Sequence, residues 1–196
     1  MKIDNILDIF IEQLLQMLQA EEGEQKEILR YGLRCFLGDF VKVIMLGVLF
    51  GIAGCLYEFI LVCMVLVILR TLCGGTHRET MQGCFLQSLI IILLIIICGK
   101  NIVIPKEWLF EVYGTLIIMM MVITPVISQK RMRYTRVQCI KFKIRAMLVL
   151  IGMAVLSQII DARWSNYFIW VGIIQVVDTL VAKLIANGKE NKYEQH

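Results

Sequence analysis

Six long runs without a charged residue dominate this chain and limit what it can fold into. A helix needs about 20 residues to cross roughly 30 Å of hydrocarbon. Hydrophobic residues make up 59% of the chain and charged residues 18%, against roughly 45–50% and about 25% in soluble domains. Most of the chain therefore belongs in lipid, which excludes disordered, collagen-like, coiled-coil and secreted disulfide-rich classes. The six runs are residues 43–57, 59–69, 80–99, 112–129, 146–160 and 164–177.

These runs predict an all-α fold, a polytopic membrane helical bundle with about six transmembrane helices. The run 59–69 is short and is soon followed by Gly74–Gly75. The alternative to two separate spans here is one long helix over 41–69, which would place the Glu58 carboxylate near the bilayer centre. With six spans and an inside N-terminus, 17 of the 20 basic residues fall on the cytoplasmic side, as the positive-inside rule favours. We therefore predict a cell-membrane protein with six spans and with both termini on the cytoplasmic side.

The N-terminal segment has a different pattern, with apolar residues spaced three and four apart between acidic and amide side chains. The apolar positions are Ile3, Ile6, Leu7, Phe10, Leu14, Met17 and Leu18. We predict a single domain over 1–196, with amphipathic interfacial helices in 1–40, the transmembrane bundle in 41–186 and a polar, disordered tail in 187–196.

Seven cysteines are present, an odd number, and most lie inside the apolar runs. They lack the paired short spacings of a zinc site, so we expect thiols and no metal or cofactor. Nothing in the sequence points to a nucleic-acid partner.

Residues 70–84, predicted to form an inside loop, are rich in reactive side chains. His77 lies between two cysteines, Cys73 and Cys84. A cysteine peptidase needs a base beside its thiol, because a thiol is only a few per cent ionised at neutral pH. Gly74–Gly75 supplies the backbone freedom to end a helix and to bring main-chain amides close to a substrate carbonyl.

The spacing of His77 and Cys84 leaves two interpretations open. On one continuous helix they would share a face but stand about 10.5 Å apart, too far to hydrogen-bond. A catalytic pair therefore requires a non-helical turn at His77 or a pair completed across a dimer. In the other interpretation His77 is a solvated loop residue and Cys84 packs at a helix start.

The loop resembles the accessory gene regulator B (AgrB) family, membrane peptidases of Gram-positive quorum-sensing systems. The resemblance rests on Arg70, on Gly74-Gly75-Thr76-His77 and on Cys84 seven residues later, at the entrance to an apolar span. A length near 200, the six-span plan and Pro125 at the end of the fourth span agree with it. Arg78 departs from the family, which usually has a small residue there.

The resemblance implies a cysteine endopeptidase that cuts the C-terminal tail from an AgrD-like propeptide. Cys84 would be the nucleophile and His77 its base, with Arg70, Gly74 and Gly75 in supporting or oxyanion roles. The acyl-enzyme thioester would then be attacked by a cysteine or hydroxyl of the peptide, closing a thiolactone or lactone ring. Cys73 would then be a thiol without a catalytic role. The resemblance also implies a homodimer.

Other polar residues receive weaker assignments. The basic segment that includes Lys130, Arg131 and Arg133 is a topological anchor against anionic lipid, and we expect it also to hold an acidic propeptide tail. Glu79 and Gln82 lie beside His77 and Cys84 in the sequence and are further candidates for substrate contact. In the last apolar run, Asp178 and Gln175 are candidates by position. We predict Asp178 to be an interfacial or interhelix polar contact.

Two rival functions remain open at this point. A small transporter or channel subunit could use the short second span, the Gly-Gly break and Asp178 as a broken-helix pathway, although the two halves show no repeat. A membrane anchor of a sensor or assembly factor would instead use the N-terminal helices to bind its partner.

Overall fold

The computed structural model of this chain describes residues 3–17, 23–76, 80–124 and 135–193, with only the backbone given at 3–8, 24, 25, 28, 31, 35, 81 and 187–193. These residues contain seven α-helices and a short 3₁₀ turn at Lys106–Trp108, and the described part of the chain has no β-strand. The helices are α1 (Ile3–Met17), α2 (Glu24–Ile52), α3 (Leu56–Cys73), α4 (Met81–Asn101), α5 (Leu109–Ile123), α6 (Arg136–Ile159) and α7 (Ala162–Tyr193).

The chain forms two compact units, Met1–Leu56 and Tyr57–His196. In the first unit α1 packs along α2, and the α1 side chains of Ile11 and Leu15 are fully buried. Glu12 of α1 forms an ion pair with Arg30 of α2. The N-terminal helix predicted from the apolar spacing is confirmed over Ile3–Met17, whereas its interfacial location stays a prediction.

The second interfacial helix and the first span are one continuous helix, α2, of 29 residues. No proline interrupts the sequence between the two predicted parts, and the helix propagates through Gly38 and Asp39. A break follows at residues 53–55, after which α3 begins at Leu56. The alternative of one long helix over 41–69 is therefore wrong. The acidic Glu58, predicted to separate two runs, lies instead in the first turn of α3.

In the second unit, α3 to α7 alternate in direction. We call one end of this unit the site end. There Asp178 of α7 pairs with Arg70 near the end of α3. Lys143, from the first half of α6, donates to the Met121 carbonyl near the end of α5 at 2.9 Å. Lys183 of α7 donates to the neighbouring Val122 carbonyl at 3.0 Å. Cations at a helix C-terminus are favoured by its partial negative charge.

A second polar cluster connects α3, α4 and α7 at the opposite end of this unit. Glu58 is buried and lies 3.0 Å from Arg163 of α7 and 3.6 Å from Lys100 of α4. Asn166 of α7 donates to the Gly99 carbonyl at 2.7 Å and so satisfies the end of α4. Because ion pairs connect α3 and α7 at both ends, charge specifies their relative register in this unit.

Four described helical segments are long and apolar enough to cross a membrane, namely Gly32–Ile52, Leu56–Cys73, Gln82–Asn101 and Ala162–Ala186. The predicted fold class, an all-α membrane helical bundle, is confirmed. The count of six spans stays a prediction, since α5 has only 15 residues and the first half of α6 carries several basic residues. The second span is longer than its uncharged run suggested, because α3 extends over 18 residues.

The polar C-terminal end differs from its prediction. Helix α7 continues to Tyr193, so residues 187–193 are helical rather than disordered. Extending an existing helix costs far less than starting one, so a helical end can persist through a polar sequence.

Candidate active site

Helix α3 ends where the Gly-Gly pair begins. The Gly74 N–H donates to the Arg70 carbonyl at 3.0 Å, and Gly74 has a φ of +82°. This is the left-handed conformation that commonly ends helices and that glycine adopts without a Cβ penalty. The prediction that Gly74 ends the helix is confirmed, and the chain leaves α3 in a non-helical conformation through Thr76.

Helix α4 begins at Met81, with Thr80 as its N-cap. The Thr80 hydroxyl accepts a hydrogen bond from the Gly83 N–H at 3.2 Å. Cys84 follows in the first turn, where its N–H donates to the Thr80 carbonyl at 3.0 Å. Since α3 ends at Cys73 and α4 begins at Met81, residues 73–84 do not form one continuous helix. The 10.5 Å separation that such a helix would impose therefore does not apply.

The two cysteines of the loop differ in exposure. Cys73, the last residue of α3, is completely buried, whereas Cys84 is partly exposed. Six of the seven cysteines are described, and each carries a thiol rather than a disulfide. A nucleophile must reach a substrate carbonyl, so Cys84 is the better placed of the two.

Thr76 is held by side chains from three helices, an arrangement that we call the Thr76 clamp (Arg70, Gln87, Gln175 and Asp178 around Gly74–Thr76). Arg70 of α3 donates to the Thr76 carbonyl at 2.7 Å, and Gln87 of α4 donates to the same carbonyl at 3.2 Å and to the Thr76 hydroxyl. Asp178 of α7 accepts from the Thr76 N–H at 3.3 Å and from its hydroxyl. Every polar group of Thr76 is thus engaged.

The clamp also includes Gly74 and its neighbour Gly75. Gln175, one turn before Asp178, donates to the Gly74 carbonyl at 2.8 Å and to the Thr179 hydroxyl at 3.0 Å. A Cβ on Gly75 would overlap the Asp178 Oδ2 and lie 3.2 Å from the Arg70 Nε. Gly75 is therefore required by the close approach of the backbone to these two side chains.

Asp178 and Arg70 form a mostly buried ion pair, with 3.7 Å between the Oδ2 and Nη2 atoms and side chains that are 9% and 25% exposed. Non-helical backbone inside a membrane protein must find hydrogen-bond partners in the protein, because lipid offers none. The ion pair and the hydrogen bonds of the clamp meet that need for backbone groups of Gly74 and Thr76. The prediction that Asp178 makes an interhelix polar contact is confirmed.

The remaining predicted site residues are not brought into this cluster by the described structure. Gln82 is exposed on the first turn of α4. His77 and Glu79, and likewise Lys130, Arg131 and Arg133, lie outside the described residues, as does Arg78. Their assignments remain predictions.

Sequence reasoning missed Thr76 and Gln87 as members of the site, and it did not link Gln175 and Asp178 to the Gly-Gly segment. The available signal was weak. Gln175, Asp178 and Thr179 are polar residues three and four apart, a spacing that places them on one face of an apolar helix. Among the described residues, no group of three or more His, Cys, Asp or Glu side chains could hold a metal ion.

Comparison with known proteins gives two matches of different extent. The family described as accessory gene regulator B matches residues 4–179. The protein FsrB of Enterococcus faecalis is 27% identical over 110 residues, which cover 55% of this chain and 44% of FsrB. The match thus spans less than half of that relative's length. No solved structure matches this chain.

Proposed function

The chain belongs to the accessory gene regulator B family of quorum-sensing systems, and from that membership we propose that it is a membrane cysteine endopeptidase. Its substrate would be a small AgrD-like propeptide, from which it removes the C-terminal tail. Cys84 is the proposed nucleophile and His77 the proposed base. The observation that carries this proposal is the partly exposed Cys84 thiol in the first turn of α4, three residues before Gln87, which donates to the Thr76 carbonyl directly ahead of His77.

The position of Cys84 suits a nucleophile for two reasons. Helical side chains lean toward the helix N-terminus, so the thiol is directed to the start of α4. The partial positive charge there stabilises an anion such as a thiolate. Cys73 has neither advantage, because it is buried at the C-terminus of α3.

The proposed reaction has two acyl-transfer steps. His77 removes the Cys84 proton, and the thiolate attacks the scissile carbonyl to form a tetrahedral intermediate. The intermediate collapses when the C–N bond breaks and His77 protonates the departing amine, which leaves a thioester on Cys84. His77 then removes the thiol proton of a cysteine in the same peptide; the resulting thiolate attacks the thioester, the bond from the acyl carbon to the Cys84 Sγ breaks, and a thiolactone ring forms as Cys84 leaves as a thiolate and recovers its proton from His77. A hydroxyl attacker would give a lactone.

Substrate contacts are assigned by position and charge. Lys130, Arg131 and Arg133 are proposed to bind an acidic propeptide tail by charge complementarity, and Glu79 and Gln82, which lie between the reacting residues in the sequence, are further candidates for substrate contact. The active site and both termini are proposed to face the cytoplasm, where the reducing environment keeps the thiol available. The protein is proposed to act as a homodimer.

Replacing Cys84 tests the proposal directly. We expect Cys84→Ala to abolish cleavage of a co-expressed AgrD-like propeptide, as measured by mass spectrometry, because no other partly exposed thiol lies in the loop described here. Cys98→Ala is the matched control, since it removes a partly buried thiol from the same helix. His77→Ala should match Cys84→Ala. If Cys73→Ala abolished cleavage and Cys84→Ala did not, the nucleophile would be wrongly assigned.

Charge reversal tests the role of the basic segment. We expect the double variant Lys130→Glu, Arg131→Glu to raise the propeptide concentration needed for half-maximal cleavage at least tenfold, because it replaces attraction of the acidic tail by repulsion. Lys106→Glu, an exposed charge reversal near the opposite end of the second unit, is the control. Unchanged kinetics in the double variant would reject the role in substrate binding.

A further inference from the structure

We propose that Asp178 is a positioning residue of the peptidase, which holds Thr76 so that the next residue, His77, is presented to Cys84. The inference rests on the proposed function, and it adds an acidic residue of α7, about 100 positions downstream, to a site that otherwise comes from residues 70–84. Asp178 does not touch the reacting atoms in this scheme. It acts through the backbone of the Gly74–Thr76 segment.

Asp178 contacts both Thr76 and Arg70, and Arg70 itself contacts Thr76. One carboxylate oxygen accepts from the Thr76 hydroxyl, and the other accepts from the Thr76 N–H at 3.3 Å and faces Arg70 at 3.7 Å. Arg70 in turn donates to the Thr76 carbonyl at 2.7 Å. The carboxylate and the guanidinium thus hold the N–H and the carbonyl of one residue, Thr76, while they pair with each other.

The clamp is closely packed around the Gly74–Thr76 backbone. Gly75 has no room for a Cβ between Asp178 and Arg70, so the segment cannot shift toward α7 without displacing the ion pair. Gln175 fixes the preceding carbonyl of Gly74 from the same helix. The backbone is thus hydrogen-bonded at Gly74 and Thr76 and closely packed at Gly75 between them.

Holding Thr76 limits where His77 can lie, since consecutive Cα atoms are about 3.8 Å apart across a trans peptide. A base must come within hydrogen-bond distance of the proton it removes. A displacement of about 1 Å can lower a rate by roughly a hundredfold. A loosened clamp should therefore lower the reactivity of Cys84 even though neither catalytic residue is changed.

A purely structural role for Asp178 makes a different prediction. The carboxylate would then only satisfy buried donors and join α3 to α7, a task that Glu58 shares at the opposite end through Arg163. Under that alternative, loss of either carboxylate would loosen the bundle in the same way. Glu58 thus provides a matched control, because it is also a buried carboxylate paired with an arginine across α3 and α7.

The test measures alkylation of Cys84 by iodoacetamide in the full-length protein in liposomes, with site-resolved mass spectrometry at pH 7 and at pH 10. At pH 10 the thiol is ionised without help, so that rate reports accessibility alone. The ratio of the rates at pH 7 and pH 10 then reports assistance by His77, because an unassisted thiol is only a few per cent ionised at pH 7.

We expect a high ratio in the unaltered protein and in Glu58→Gln, and a ratio at least tenfold lower in His77→Ala and Asp178→Asn. A high ratio in Asp178→Asn, with a low one in His77→Ala, would overturn the positioning role and leave the peptidase proposal standing. A ratio in Glu58→Gln as low as that in Asp178→Asn would also overturn it, since general loosening would explain both. A low ratio in the unaltered protein, unaffected by His77→Ala, would instead reject the His77–Cys84 pair.

A milder pair of variants keeps the test decisive if Asp178→Asn does not fold. Thr76→Val preserves the side-chain shape and the backbone N–H but removes the hydroxyl that Asp178 and Gln87 contact, so the ratio should fall at least threefold. Thr76→Ser retains the hydroxyl, so its ratio of alkylation rates should equal that of the unaltered protein. Equal ratios in the two variants would contradict the inference.

Discussion

At the scale of single residues, two adjacent glycines serve different physical purposes. Gly74 needs its positive φ, which lets the chain leave α3. Gly75 needs the absence of a side chain, because Asp178 and Arg70 occupy the space that a Cβ would take. A Gly-Gly pair in a sequence indicates a flexible break, whereas here the second glycine belongs to a closely packed contact.

Replacement of Gly75 should separate activity from stability. We expect Gly75→Ala to lower propeptide cleavage at least tenfold, because the new methyl group displaces the carboxylate and guanidinium that hold Thr76. Gly152→Ala is the control, since a Cβ there meets nothing within 4 Å and alanine favours the helix by about 1 kcal/mol. Cleavage and the thermal unfolding midpoint would be measured on both. Full activity in Gly75→Ala would contradict the close packing described here.

At the scale of helices, the start of α4 is the element on which the proposed chemistry depends. Thr80 satisfies the Gly83 N–H and so holds the turn that carries Cys84. Helix α6 begins in a similar way, at Thr135, whose hydroxyl accepts from the Gln138 N–H and whose own N–H donates to the Gln138 side-chain carbonyl. The two N-caps differ in location, since only that of α4 adjoins the candidate site.

This similarity gives a matched pair of variants. Thr80→Ala and Thr135→Ala should each lower stability by about 1 kcal/mol, because each leaves a helix N–H without its cap. We expect only Thr80→Ala to lower the cleavage rate, since only α4 presents Cys84. Thermal unfolding and propeptide cleavage would be measured together. An equal loss of cleavage in both variants would show that stability, rather than the local turn, limits activity.

At the scale of the whole molecule, charge placement and helix direction agree within the second unit. Lys100 and Arg163, two of the three basic residues predicted to lie outside, both pair with Glu58 at one end. Arg70, Lys143 and Lys183, predicted to lie inside, are at the site end. This segregation is the arrangement that the positive-inside rule favours.

The predicted sidedness can be tested with a membrane-impermeant maleimide. We expect a cysteine introduced by Lys106→Cys to be labelled in intact cells, because residue 106 is exposed near the predicted outer end. The native Cys139, partly exposed in the first turn of α6, should be labelled only after permeabilisation. Site-resolved mass spectrometry distinguishes the two. The reverse pattern would invert the topology and place the candidate site outside.

The sequence by itself determined the class of the fold, because long uncharged runs leave few alternatives to helices in lipid. It also located the Gly-Gly break and the two thiols of the loop, since these are local features. Helix ends were less predictable. Charged residues mark the limits of a run, yet α3 includes Glu58 and α6 includes Lys141 and Lys143, since a helix continues wherever its backbone bonds and side chains are satisfied.

Only the tertiary structure decided which polar residues meet. Asp178 and Gln175 lie about 100 positions from Thr76 and Gly74, and nothing in local spacing encodes that contact, because apolar faces of membrane helices are nearly interchangeable as packing partners. The meeting follows from the direction and register of α3, α4 and α7, which long-range packing and the ion pairs at both ends specify. The sequence thus identified the reactive loop, and the packing of distant helices supplied the clamp that holds it.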